Sequence, residues 1–230
     1  SGRPVFDEIW PRFLVTIRMS LLILVISVCV GVPVGIYSAV RQYSLWDTVP
    51  TMMAFFLAAV PSFVIGMVLM YFFALKINIF PSFGLSGLKS YILPVSAVAI
   101  SEAAAYLRFT KSSMLEAIRQ DYVRTARGKG VPERTVIWKH AMRNALLPVI
   151  TCVGMRFGVL LAGMVTTERL FSIPGIGSLI VDSISKKDEP VIIAASILIA
   201  SAFTMLMLLV DIAYAYVDPR IRAKYSRLER

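Results

Sequence analysis

Long uncharged stretches alternate along this chain with short charged ones, and that alternation dominates the sequence. A hydrocarbon core about 30 Å thick asks for roughly 20 apolar residues of helix. Five segments meet or approach that length: 19–40 and 51–75 without charge, 91–107 with Glu102, 146–167 with Arg156, and 191–216 with Asp211 near its end. Pro33, Pro61 and Pro94 lie inside or near the starts of these spans, where membrane helices tolerate proline once neighbours satisfy the backbone. The pattern predicts an all-α membrane protein, a polytopic helix bundle of about five spans, with residues 1–230 forming one membrane domain.

Composition sharpens this. Hydrophobic residues make up 57% of the chain and charged ones 17%, against roughly 25% charged in soluble domains. Disorder, a disulfide-stapled secreted module and a water-soluble nucleic-acid binder are excluded. Cys29 and Cys152 sit in apolar stretches and form no Cys-x-x-Cys pair. The net charge of +10 is concentrated: segment 108–143 holds nine Lys/Arg against three acids, and the tail after Tyr216 five against two. The connection 167–190 has three bases and four acids. The positive-inside rule therefore places 108–143 and the C-terminus in the cytoplasm. Five spans then put the N-terminus outside, and since such proteins usually begin inside, a first span is expected to be missing.

Two connections carry recognisable local structure. In the basic loop, a helix is expected over 121–129 and ends at Gly130, a residue type suited to the left-handed C′ position. A second short helix is expected from Pro132 at N1, with Glu133 in its positive first turn. Tyr122, Ala126 and Lys129 fall at i, i+4, i+7 and give the first helix one mixed face. Such a pair suits insertion into a groove on a partner; the bland alternative is a solvated loop that only sets topology. On the other side, Ser172-Ile-Pro174-Gly175-Ile-Gly177 is a turn cluster followed by a short amphipathic pattern, expected to form an interfacial helix.

Asp121-Tyr-Val-Arg124-Thr125-Ala126-Arg127-Gly-Lys129-Gly130-Val, followed by Lys139-His-Ala-Met-Arg-Asn-Ala-Leu-Leu-Pro-Val, resembles the permease signature of bacterial ABC importers. The match is to the B-type subunit of the peptide/nickel branch, and Phe171-Ser-Ile-Pro-Gly-Ile-Gly177, Leu209-Val-Asp211 and Val217-Asp-Pro-Arg-Ile-Arg222 agree with it. The resemblance covers nearly the whole chain. It implies a six-span permease of the bacterial inner membrane that moves peptides, or nickel and related small solutes, by alternating access. Implied partners are a second permease, two cytoplasmic ATP-binding subunits that hold ATP and Mg, and an extracytoplasmic solute-binding protein. The loop 108–145 would be the coupling loop, with Asp121, Tyr122, Arg124, Thr125, Ala126, Arg127, Lys129 and Gly130 facing an ATPase. Apart from the resemblance, the near-neutral charge and turn-then-amphipathic pattern of 171–186 point to an outer gate or docking surface there, with Pro174, Gly175 and Gly177 as the gate residues. Where the general motif reads Glu-Ala-Ala, this chain has Arg124-Thr125-Ala126.

The residues themselves point away from catalysis. There is no Gly-x-x-x-x-Gly-Lys-Ser/Thr to cradle a phosphate, so ATP and other cofactors are not expected in this chain, and the single His140 builds no His-rich metal site. Gly84-Leu-Ser86-Gly87 resembles a protease serine turn but stands across the bilayer from His140, and a serine nucleophile needs its base within hydrogen-bond reach. The competing reading is a stand-alone ion-coupled transporter using intramembrane carboxylates such as Glu102 and Asp211; it leaves the basic loop without a purpose. Arg156 lies at the midpoint of its span, and a central Arg costs roughly 2.5–3.5 kcal/mol on insertion scales. Counting 1.5 Å per residue puts Glu102 within about 3–5 Å of the same depth and Asp211 roughly 11 Å nearer the cytoplasm. A Glu102–Arg156 pair that fixes spans three and four beside the translocation pathway is therefore the sharper expectation; a cavity-lining Arg156 solvated by water, or one paired with a sister subunit, is the alternative.

Overall fold

A computed structural model describes residues 4–217 of the chain. Helix α1 (Val5–Val40) is far longer than its apolar run, because Asp7 and Glu8 occupy its first turn, where the helix dipole favours acids. Helices α2 (Leu45–Ala59) and α3 (Ser62–Leu69) follow, the latter continuing as a π-helical turn over Met70–Lys76. After a short 3₁₀ turn at Leu88–Tyr91 come α4 (Ile92–Ile118) and α5 (Asp121–Gly128). A single helical turn, α6 (Glu133–Thr135), passes through a π segment (Val136–Ala141) into α7 (Met142–Gly163). Helices α8 (Val165–Leu170), α9 (Ile176–Lys186) and α10 (Glu189–Val217) complete the order, and no strand occurs among the described residues.

Four helical stretches are long and apolar enough to cross a membrane, or five if the bent pair α2 and α3 counts as one. That pair corrects the expected uninterrupted span 51–75. Pro61 has no N–H and drives Val60 out of the helical region, to ψ 122°. The two halves meet at 99°. The expected second loop helix is also corrected: Pro132 is the N-cap, not N1, and the helix it opens runs on into the fourth span. The side chain of Asp211 and the motif residues from Asp218 onward lie outside the described residues.

Close backbone approach organises the centre. A Cβ on Gly31 would come within 2.5 Å of the Ala103 carbonyl oxygen, and one on Gly35 within 2.6 Å of that of Leu107. This Gly-x-x-x-Gly stripe lets α1 and α4 pack at a distance that no larger residue permits. Around that pair, Met19, Ile23, Leu93, Ala97, Phe157, Leu160, Met164 and Phe171 form the main core. A second core at one end joins Ala39, Met114, Ala117, Val123, Ala126, Val136 and Ala141. A third, at the opposite end, joins Ile9, Phe13, Ile176, Leu179, Val191 and Ala195. The first of these ends carries the basic loop and the other carries the glycine-rich hairpin that precedes α9.

Candidate coupling loop, mid-span ion pair and hairpin clasp

At the basic end, α5 stops by satisfying its last carbonyls locally. Gly130 takes φ +75°, Gly130 N donates to Arg127 O at 2.9 Å and Val131 N to Ala126 O at 3.3 Å. This is the paired closure expected when a glycine follows a helix. The helix itself ends at Gly128, one residue before the expected end. Val123 and Ala126 face inward and are buried. Asp121, Tyr122, Arg124, Thr125, Arg127 and Lys129 are exposed, Tyr122 by 39%. The expected mixed face of Tyr122, Ala126 and Lys129 is thus split, because Ala126 belongs to the anchor. Arg127 reaches across the turn to Glu133 with Nε–Oε2 at 3.0 Å and Nη2–Oε1 at 2.6 Å. That carboxylate holds the Arg127 guanidinium above its ordinary pKa.

At mid-span, α4 and α7 bring Glu102 and Arg156 together. Arg156 Nε donates to Glu102 Oε2 at 2.7 Å and Nη2 to Oε1 at 2.9 Å, a two-pronged pairing that fixes the guanidinium plane. The Tyr106 ring lies 5.9 Å from the guanidinium carbon. Glu102 is largely covered, with 14% of its side chain exposed, whereas Arg156 keeps 40%.

The hairpin end holds a feature that pattern reading missed. Glu168 on α8 is completely buried. It accepts hydrogen bonds from the Thr16 hydroxyl at 2.6 Å and from Ser178 N at 2.8 Å, while Thr16 Oγ1 accepts from Ile176 N at 3.0 Å. The N–H groups that open α9 would otherwise have no partner. Burial pushes the Glu168 carboxyl above its ordinary pKa, and these donors oppose the shift. Gly175 and Gly177 are shaped around the carboxyl: a Cβ on Gly175 would fall inside it, and one on Gly177 would sit 3.0 Å from Oε2. Pro174 is exposed, and Ile173 N closes the turn on Glu168 O at 2.7 Å. A carboxylate just ahead of a Pro-Gly-x-Gly turn was the available signal.

A further buried acid, Asp47, was also missed. It is paired with Lys111 and Ser38 and accepts from Thr51 Oγ1 at 3.1 Å and Tyr43 N at 3.0 Å. Lys111 is therefore a tie between α2 and α4 in addition to a topology charge.

The family model "Binding-protein-dependent transport system inner membrane component" matches residues 31–223. Over 224 residues the chain is 39% identical to the glutathione transport system permease protein GsiC of Escherichia coli (strain K12), a match spanning 97% of this chain and 73% of that one. The same protein of Salmonella typhi matches to the same extent. An inward-facing structure of the MetNI methionine ABC transporter superposes with a TM-score of 0.77 at 14% identity, over 95% of this chain and 100% of that one. An amino acid ABC transporter crystallised with histidines gives a TM-score of 0.66, also at 14% identity, over 94% of this chain and 93% of that one. At that identity the structures share the fold alone.

Proposed function

The chain belongs to the family of binding-protein-dependent transport system inner membrane components and is a permease subunit of an ABC importer, and from that premise we propose that it moves peptide-like solutes inward across the inner membrane by alternating access. The relatives named above are glutathione transport permeases, and glutathione is a tripeptide, which supports that class. In this reading the chain pairs with a second permease, receives solute from an external binding protein and is driven by two ATP-binding subunits, which hold ATP and Mg. The basic end and the C-terminus face the cytoplasm, and the hairpin end faces outward.

The observation that carries the coupling assignment is the division of α5 into two faces. Val123 and Ala126 fasten it to the ends of α4 and α7, while Tyr122, Arg124, Thr125 and Lys129 point away from the chain with no apolar cover. A helix held rigidly and exposed on its other face is built to fit a complementary cleft. The competing ion-coupled transporter gives this face nothing to contact.

The test is Tyr122→Asp in the assembled transporter. Membrane insertion and thermal stability should stay at wild-type levels, while uptake and solute-stimulated ATP hydrolysis fall by about tenfold or more, the loss expected of a central interface aromatic. Normal uptake and ATPase stimulation would remove α5 from the coupling role. For orientation, Ser178 is buried and a poor reporter, whereas Ser185 on α9 is exposed. Ser185→Cys should react with a membrane-impermeant thiol reagent added outside; labelling only from the cytoplasmic side would invert the topology.

A further inference from the structure

The Arg156 guanidinium uses only one of its two hydrogen-bonding edges. Nε and Nη2 are engaged by Glu102, and Nη1 has no acceptor among the described residues. The exposed part of the side chain lies on a face of α7 that also presents Met155, 48% exposed, and Val159, 66% exposed. A guanidinium near the middle of a span is too costly to leave against lipid tails, so this face meets water or protein. The Tyr106 ring stands beside the guanidinium, and its buried hydroxyl, which has no hydrogen-bond partner among the described residues, is within electrostatic reach of Glu102 and Arg156.

We propose that the free edge of Arg156 is a transit site for the carboxylate of a passing peptide-like solute, with Glu102 as the positioning residue that aims it and limits how tightly it holds. The inference rests on reading this face as part of the translocation path. A guanidinium presents its N–H groups as a planar fork, so one edge can serve Glu102 while the other takes a second carboxylate. Glu102 supplies more than orientation: the pair is neutral before the solute arrives. A bare cation at mid-membrane would bind an anion and keep it. A pathway site must bind strongly enough to admit its solute and weakly enough to release it. A neutralised but incompletely bonded guanidinium meets both demands.

The experiment uses Val159→Cys, one turn from Arg156, in a Cys29→Ser/Cys152→Ser background of the assembled transporter in proteoliposomes. Two thiol reagents of equal size are compared, an anionic sulfonatoethyl and a cationic trimethylammonioethyl methanethiosulfonate. Reaction with both places the face in water, and the ratio of anionic to cationic rates reads the field around Arg156. Adding Arg156→Gln should lower that ratio about tenfold, adding Glu102→Gln should raise it by a similar factor, and Arg156→Lys should keep most of it. In uptake, glutathione should be carried better than its glycine-carboxyl ethyl ester, and Arg156→Gln should erase that preference. Glu102→Gln should lower the apparent KM and the turnover together, as expected when a site stops letting go. No reaction of Val159→Cys with either reagent would overturn the pathway reading and the inference with it. Reaction with a ratio indifferent to Arg156→Gln would overturn the carboxylate site and leave the pathway standing. Equal loss of turnover in both variants at unchanged KM would make the pair a structural tie only.

Discussion

The two ends of the molecule solve one problem, holding a short helix against the spans, by opposite means. At the hairpin end, α9 is fixed by polar groups deep in the protein: Glu168, Thr16 and the first N–H groups of α9 satisfy one another with no water needed. At the basic end, α5 is fixed by apolar packing of Val123 and Ala126, and its polar groups all face out. Buried polar networks are directional and unforgiving, because each member depends on the rest. Apolar packing holds an element without directional bonds and leaves its outer surface free. An element that must keep one position suits the first arrangement, and an element that must accept a partner suits the second.

The sharpest way to break this contrast is Glu168→Ala. It strands the Ser178 N–H and the Thr16 hydroxyl, and each buried donor left without a partner costs about 1–3 kcal/mol. A loss of roughly 3 kcal/mol or more in purified-protein unfolding is expected. Gly175→Ala should reproduce about half of it by pushing the same carboxyl aside. Wild-type stability in either variant would remove the clasp. Next comes Ala126→Asp, which buries an unpaired carboxylate in the pedestal and should cost about 2–3 kcal/mol in the same assay. Tyr122→Asp, four residues earlier on the same helix, should cost nothing measurable. If the two variants were equally destabilised, the split between anchoring and exposed faces would be wrong. The smallest effect belongs to the Arg127–Glu133 pair, whose side chains are 40% and 56% exposed. Arg127→Gln and Glu133→Gln should each shift stability by less than about 0.5 kcal/mol, and less again in high salt.

Periodicity made the spans and α5 legible, because long uncharged runs and a Gly-terminated basic segment have few alternative structures. The Glu102–Arg156 pair was reachable by counting rise per residue. Three features were not legible, for separate reasons. A proline within an apolar run permits either a gentle kink or a full break, and only the extended Val60 with its 99° bend decides between them. The spacing of Tyr122, Ala126 and Lys129 names a helix face without saying whether another element covers it; Ala126 is buried in one cluster with Met114 and Val136 from other parts of the chain. Glu168 entered only as one acid in a charge tally, since nothing local to α8 shows that Thr16, 152 positions away, will be waiting for it.

The pedestal under α5 also has a mechanical meaning. Val123 and Ala126 sit in one packed cluster with Met114 and Ala117 of α4 and with Val136 and Ala141, which lead into α7. Close-packed side chains transmit displacement instead of absorbing it. If α5 docks on a partner as proposed, a displacement of α5 would be shared between α4 and α7, which are joined again further along their length by Glu102 and Arg156. Fixed at two points, the pair would turn as one lever in the proposed coupling role, and a push at the basic end would arrive beside Glu102 as rotation of the face that carries Arg156.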